Sequence, residues 1–281
     1  MAIKVYKKNR AARKNASDID RRGLHAGKPF KKLTTPAKRL SGRGAEGKIT
    51  VRHRGGGVKR MIRQIDFGQD KKGVTATIER LEYDPNRSGH VALLRFIDGE
   101  RRYVLAWENA HVGDTVIIDE KTPEKDGNRM QLQHITPGLT VFNVELRPNR
   151  GGTLFRAAGS FGTLMDVQGN YAQVKMTSGE IRLIPKESYA TIGKVSNADW
   201  RLMRFGSAGR MRRMGRRPQV RGKVMNPVDH PHGGGEGAQP IGLTHPKTKW
   251  GKPALGVKTR RSGKYSDALI LERRTSKKKR K

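Results

Sequence analysis

HVALLRFIDGERRYVLA, residues 90–106, is the stretch that decides the fold. Two apolar-rich runs, His90 to Ile97 and Glu100 to Ala106, flank Asp98-Gly99, a two-residue hairpin signal of the kind that needs positive φ. Working outward, Lys48 to His53 alternates, and Arg60 to Asp66 and Val74 to Tyr83 read as further strands. Thr115 to Glu120 ends this set before a turn at Asp126-Gly127. Five or six short strands with tight turns predict a small barrel. A second set follows: Thr140 to Leu146, Phe161 to Val167, the alternation of Ala172, Val174 and Met176 with Gln173 and Lys175, a turn at Ser178-Gly179 into Ile181 to Ile184, and Thr191 to Val195. This predicts a second barrel-sized unit. Ser196-Asn197 then offers a cap before Ala198 to Phe205, with Asp199 in the first turn, which predicts a short helix. The expected fold class is mainly β.

The flanks differ in kind. Residues 1–60 carry 19 Lys and Arg against 3 Asp and Glu, and residues 196–281 carry 23 against 5. The residues between carry 18 against 17, so nearly all of the formal +35 sits at the two ends. Gly23, Gly27, Gly42, Gly44 and Gly47, with Pro29 and Pro36, make residues 1–47 extended and irregular. That arm is expected to bury little, so the barrels should fold without it. Beyond Gly206 the chain again reads as polar and irregular, and residues 273–281 form a basic tail. Self-repulsion keeps such arms open until a polyanion neutralises them.

Hydrophobic residues make up 34% of the chain, below the roughly 45–50% of a globular protein, and the arms account for the shortfall. Cysteine is absent, which excludes disulfides, a thiol nucleophile and thiolate metal sites. No apolar run nears the ~20 residues that span a bilayer. No long basic amphipathic helix with an apolar face points to a membrane surface. The N-terminus, MAIKVYKKNRAARKN, lacks the apolar stretch of a secretory signal, and a reducing, cytosol-like compartment is expected. An acidic protein is one partner such charge suits. Nucleic acid suits it better, because Arg and Lys are spread over Gly- and Pro-rich stretches able to follow a phosphate backbone.

Arg52-His53-Arg54-Gly55-Gly56-Gly57-Val58-Lys59-Arg60 joins cations to three glycines, whose missing Cβ atoms let backbone N–H groups approach an anion. The spacing is not that of a Walker loop, and phosphate contact is favoured over a plain hinge between arm and barrel. Arg87 projects from the turn Tyr83-Asp84-Pro85-Asn86-Arg87-Ser88. It is either presented to phosphate or a guanine edge, or is a solvated turn charge. Arg147, Arg150 and Arg156 share residues 147–159 with three glycines and no acid, which points to RNA contact. Eight arginines and no acid lie from Arg201 to Arg221, among them Arg212, Arg213, Arg216, Arg217 and Arg221. Met203, Phe205, Met211 and Met214 are interleaved, and Phe205 is available to stack on a splayed base.

In Met225 to Gly237, Asp229 beside His230 raises general-base chemistry, and Asp229, His230, His232 and His245 raise a metal site. Adjacent side chains rarely form an orienting pair, Pro227 and Pro231 favour an extended path, and no nucleophile can be assigned beside them. The loop, with Gly233, Gly234 and Gly235, reads instead as a segment threaded through RNA. No catalytic residue, metal ligand or cofactor is expected. Two readings from other classes stay open at this point: a metal- or histidine-dependent hydrolase acting on nucleic acid, and a general nucleic-acid chaperone.

The strings RHRGGGVKR, ERLEYDPNRS, DGERRY and VRGKVMNPVDHPHGGGEG, with the late Lys258-Thr259-Arg260, resemble the second protein of the large ribosomal subunit, bacterial type, in the same order and over nearly the whole chain. The resemblance implies an oligonucleotide-binding (OB-like) barrel over residues 48–127. It implies an SH3-like barrel with a short helix at its end over 128–200, between basic extensions at 1–47 and 201–281. It implies a structural, non-enzymatic protein that binds ribosomal RNA early in assembly. Subunit joining, transfer-RNA binding and organisation of the peptidyl transferase region are the further implied roles. The implied partners are large-subunit rRNA, small-subunit rRNA across the subunit interface, tRNA indirectly and neighbouring ribosomal proteins. The implied setting is a cytoplasmic ribosome rather than a plastid one, with no membrane and no homo-oligomer. Arg87 and Arg156 match RNA-contacting arginines of the family, and His230 matches a histidine linked to peptidyl transfer, chemistry attributed to RNA. Val58 departs from the pattern, since the family often has His after the triple glycine.

Overall fold

The computed structural model describes residues 3–6, 16–237 and 239–274. The basic tail beyond Arg274 and most of MAIKVYKKNRAARKN lie outside the described residues. The chain forms two compact units, one of residues 1–38, 59–207 and 265–281, the other of residues 39–58 and 208–264.

The strands are, in chain order, β1 (Ile3–Val5), β2 (Ser17–Ile19), β3 (Thr34–Pro36), β4 (Met61–Arg63), β5 (Ala76–Glu82), β6 (Val91–Phe96), β7 (Arg101–Leu105), β8 (Thr115–Val116), β9 (Arg129–Gln131), β10 (Thr140–Phe142), β11 (Val144–Glu145), β12 (Gly152–Leu154), β13 (Gly162–Gln168), β14 (Tyr171–Lys175), β15 (Ile181–Pro185), β16 (Tyr189–Ile192) and β17 (Ile270–Glu272). The one α-helix among the described residues is α1 (Ala208–Arg213). The fold is mainly β, as expected. An antiparallel half-barrel sheet, β7-β6-β5-β8, forms the OB-like part, and an antiparallel sheet, β17-β15-β14-β13-β10-β16-β9, forms the SH3-like part.

The opening hairpin forms in register, with Val91 opposite Leu105 and Arg95 opposite Arg101. Its loop has three residues rather than two. Gly99 N–H donates to Phe96 O and Phe96 N–H to Glu100 O, both at 2.9 Å, and of Asp98 and Gly99 only the glycine has positive φ. A glycine bulge closing a turn matches the twist of the flanking strands as well as a two-residue turn does.

β6 is apolar without a break from Val91 to Leu94 because both its faces are covered there, and only Arg95 in this strand is exposed. Ala92, Leu94 and Phe96 join a core that runs through both sheets and includes Ile78, Trp107, Met130, Phe142, Leu164 and Ile184. Val91 and Leu93 face the other way with Tyr103, under Phe30, Leu33 and Ile65. The expectation that residues 1–47 bury little therefore needs correction. Phe30 and Leu33 close one face of the hairpin, β3 pairs with β4, and Ala16 and Ile19 are buried. Apolar residues are sparse in this arm, and Val5 and Leu40 are exposed, but Phe30 and Leu33 sit where the hairpin face would otherwise be bare.

Three other expectations fail for local reasons. Lys48 to His53 is no strand; Ile49 and Val51 are more than half exposed, so the alternation has no core to face. The helix expected over 198–205 is a single 3-10 turn, Ala198–Leu202. Asn197 has φ +65° and makes no cap bond, because its Nδ2 donates to Ser88 O (2.6 Å). Beyond Gly206 the chain is not wholly irregular: it forms α1, and Ile270 to Glu272 adds β17 to the edge of β15.

Arg129 in β9 carries the main buried charge. It is 0% exposed and donates through Nη1 to Asn143 O (2.8 Å) and through Nη2 to Glu145 Oε1 (2.9 Å). Its backbone N–H reaches Ile117 O, and its carbonyl accepts Asp119 N–H, both at 3.1 Å, so one residue ties the two barrel regions. Removing either partner of such a pair costs about 3–5 kcal/mol, because the other is left charged in the interior.

His90 is 2% exposed, and neither ring nitrogen has a hydrogen-bond partner. Burial, helped by the Arg21 charge, lowers its pKa from 6.5 to about 4. As pH falls the unfolded chain therefore takes up this proton first. Stability is full above about 6.5 and declines down to about 4, by about 3 kcal/mol. His90→Leu is expected to remove this acid-side loss in urea unfolding measured from pH 7 to pH 4; an unchanged pH profile would contradict it.

Candidate nucleic-acid interface

In the first unit a buried polar chain fixes one surface arginine. Tyr103 OH accepts the Phe30 N–H and donates to Glu82 Oε1, each at 2.9 Å. Burial, together with the hydrogen bond to Glu82, pushes the Tyr103 phenol up to about 12. Arg63 Nε donates to Glu82 Oε2 (3.0 Å), and its Nη1 lies 3.8 Å from Asp84 Oδ1. Asp84 is 0% exposed and accepts Asn86 N–H (2.9 Å) and Arg87 Nε–H (2.6 Å). Arg87 is thus no freely solvated turn charge. Its guanidinium lies 5.7 Å from the centre of the Phe67 ring, and that of Arg156 lies 4.3 Å from the same ring. Arg156 is exposed and pairs with no acid among the described residues. The ring orients the two cations by about 0.5–1 kcal/mol each without neutralising them. Held guanidiniums of this kind suit bidentate phosphate contact. Arg150 and Lys59 are exposed elsewhere on this unit.

The second unit is built differently. Among the described residues it has no buried side chain. Ile49, Val224, Val228, Trp250 and Leu255 are each at least 60% exposed. It carries 19 Lys and Arg against 3 Asp and Glu. Backbone hydrogen bonds give it shape. Gly55 N–H donates to Gly215 O (2.9 Å), Val58 N–H to Arg213 O (3.0 Å) and Arg217 N–H to His53 O (3.0 Å). The triple glycine thus lies along the chain leaving α1. A Cβ on Gly57 would meet Gly215 Cα at 3.1 Å, so here the glycine serves close approach of the protein to itself. Arg52, His53, Arg54, Arg212, Arg216 and Arg217 line an open cleft of about 570 Å³. Arg213 and Arg221 are exposed outside that lining, and Arg52 also lies 5.5 Å from the Trp250 ring centre.

The histidine loop is not the extended path that its prolines suggested. Asp229 and His230 N–H both point at Asn226 O (3.0 and 3.3 Å), Gly233 N–H at His230 O (2.9 Å) and Gly234 N–H at Met225 O (3.0 Å). Gly235 follows with positive φ. His232 N–H donates to His230 Nδ1 (3.0 Å), and Lys247 N–H to His232 Nε2 (2.9 Å). Each accepting nitrogen leaves its ring's other nitrogen to carry the proton outward. Burial of the ring, with His232 and Arg52 nearby, lowers the His230 pKa, so the ring is a neutral donor. No hydrogen bond joins Asp229 to His230, so the orienting pair of a general base is not made. Among the described residues no three His, Asp or Glu side chains gather as a metal site, and no helix is long and apolar enough to cross a membrane.

Two family models match this chain. One, described as Ribosomal Proteins L2, RNA binding N-terminal domain, covers residues 30–118; the other, Ribosomal Proteins L2, C-terminal domain, covers residues 125–251. Together they span most of the chain. The chain belongs to the ribosomal protein L2 family. As an L2 family member it is a structural, RNA-binding constituent of the ribosome.

The RNA-binding N-terminal match contains the hairpin, Phe67 and Arg87, and the C-terminal match contains Arg156, the α1 arginines and the histidine loop. The structure brings Arg87 and Arg156 to one ring although 69 positions separate them. It also brings Arg52 and Arg54 beside Arg212, Arg216 and Arg217. Phe205, expected to be available for stacking, is half-buried. Sequence reading missed Phe67, which carries no local signal. It also missed Asp84 as an anchor, although an Asp whose side chain accepts the N–H two residues on is a known turn device.

Gly222 supports the His230 ring: a Cβ there would lie 2.4 Å from Cε1. Gly222→Ala should displace the ring and return the His230 pKa toward its ordinary value in an NMR titration. An unshifted titration would show that Gly222 does not hold the ring.

Proposed function

We propose that this protein is a primary rRNA-binding protein of the large subunit. It enters assembly early and supports subunit joining, tRNA binding and the peptidyl transferase region, while RNA does the chemistry. The observation that carries this reading is the second unit, with nineteen cations, three acids and no buried side chain among the described residues. Such a segment lacks the apolar burial that offsets chain entropy, and phosphates that neutralise it can supply the missing stabilisation. RNA has to fold around such a segment, which favours early entry.

The contacts we assign are Lys59, Arg87, Arg150 and Arg156 on the first unit. On the second they are Arg52 to Gly57, the arginines from Arg212 to Arg221, and the loop from Asp229 to Gly235. His230 acts there as a hydrogen-bond donor to RNA. Small-subunit rRNA, tRNA and neighbouring ribosomal proteins are the further partners, in a cytoplasmic ribosome.

Arg156 is the clean probe, being exposed and tied to no acid among the described residues. Arg156→Ala should weaken binding to large-subunit rRNA about tenfold at fixed moderate salt and make log K against log salt shallower by about one. The thermal midpoint should not move. Arg87→Ala should lower that midpoint as well, since it strips a partner from buried Asp84. Equal affinity of the wild type for unrelated RNA, or no change on Arg156→Ala, would contradict the reading.

A further inference from the structure

A cleft of about 440 Å³ in the first unit is lined by the loop that follows β11, by β15 and by the segment leading into β17. Arg147 and Arg150 come from the loop and Arg182 from β15, and none of the three pairs with an acid among the described residues. Tyr265, 81% exposed, and the partly buried Leu183 and Leu269 complete the relevant lining.

The frame is rigid. Glu145, buried by its pairing with Arg129, accepts the Asn149 N–H (3.0 Å) between the two loop arginines and the Tyr189 N–H (3.3 Å). On the other wall Arg182 is paired opposite Ile270, and Leu183 N–H donates to Leu269 O (2.8 Å). Three unneutralised guanidiniums and an exposed aromatic ring are therefore presented on the folded part of the protein.

We propose that this cleft seats one unstacked nucleotide from a single-stranded stretch of ribosomal RNA. Its base lies on Tyr265 against Leu183 and Leu269, and its phosphates are held by Arg147, Arg150 and Arg182. The proposal rests on the rRNA-binding reading above and adds a defined seat to it. The volume falls in the roughly 300–1,000 Å³ range of small-ligand sites. A paired base cannot enter such a cleft, whereas a splayed one can. An aromatic platform beside a cationic track is the recurring solution for single strands. An acidic peptide would use the arginines but leave the ring and the leucines bare.

The test uses the full chain on large-subunit rRNA, with affinity measured across a salt series. Tyr265→Ala should weaken binding about tenfold without changing the salt slope, and Tyr265→Phe should bind as the wild type does. Arg182→Ala should make the slope shallower by about 0.7, as for one single-strand phosphate contact. Equal thermal midpoints would show that the variants are folded. Zero-length ultraviolet cross-linking in assembled subunits should yield a nucleotide on the peptide holding Tyr265. Unchanged affinity and slope in both variants, with the wild type still specific for rRNA, would overturn the cleft alone, as would a peptide cross-linked there in place of a nucleotide. Loss of rRNA preference by the wild type would overturn the reading beneath it.

Discussion

Negative charge is scarce in this protein, and the placement of its few carboxylates governs the rest. There are 25 Asp and Glu against 60 Lys and Arg, and all but three of the acids belong to the first unit. Three of those in the first unit are buried. Glu82 holds Arg63 and Tyr103, Asp84 holds Arg87, and Glu145 holds Arg129. Two of these acids also set a surface. Asp84 fixes the arginine that meets Phe67, and Glu145 fixes the loop that carries Arg147 and Arg150. At the surface, Glu79 bridges Arg80 and Arg101, and Asp66, Asp70 and Glu100 surround Arg102. The folded part can therefore carry many arginines without repelling itself apart.

The second unit has no such means. With so few acids and no buried side chain among the described residues, it holds its shape through backbone hydrogen bonds and glycines that allow the chain to approach itself. Such contacts contribute only about 0.5–1.5 kcal/mol each, and local opening is cheap where apolar contacts are few. The RNA phosphates we propose it meets would supply the missing stabilisation. Charge is thus handled differently: the first unit sets 22 Asp and Glu against 41 Lys and Arg and pairs its key arginines internally, whereas the second sets 3 against 19, and the RNA we propose it binds would neutralise it from without.

Much of this was legible in the sequence. The hairpin at residues 90–106, both strand sets and the mainly β class follow from periodicity and turn residues. The charge split pointed to a polyanion before any fold was in view. What was not legible depended on tertiary neighbours. Lys48 to His53 alternates correctly but has no core to face. Asn197 has a capping side chain, but Ser88 O claims it. Phe30 and Leu33 look isolated in a basic arm, yet they cover the second face of β6. Ile270 to Glu272 becomes a strand only because the edge of β15 is open to it. Phe67 organises two arginines from separate strand sets, a meeting that no local pattern encodes.

We infer that the second unit depends on RNA for its order. Amide hydrogen exchange on the full chain, free and bound to large-subunit rRNA, tests it most directly. In the free protein the amides of β5, β6 and β7 should be protected, while those of Gly55, Val58, Arg217, Gly233 and Gly234 exchange near the unfolded rate. Binding should slow the second group and leave the first little changed. Equal protection of that second group with and without RNA would contradict the account.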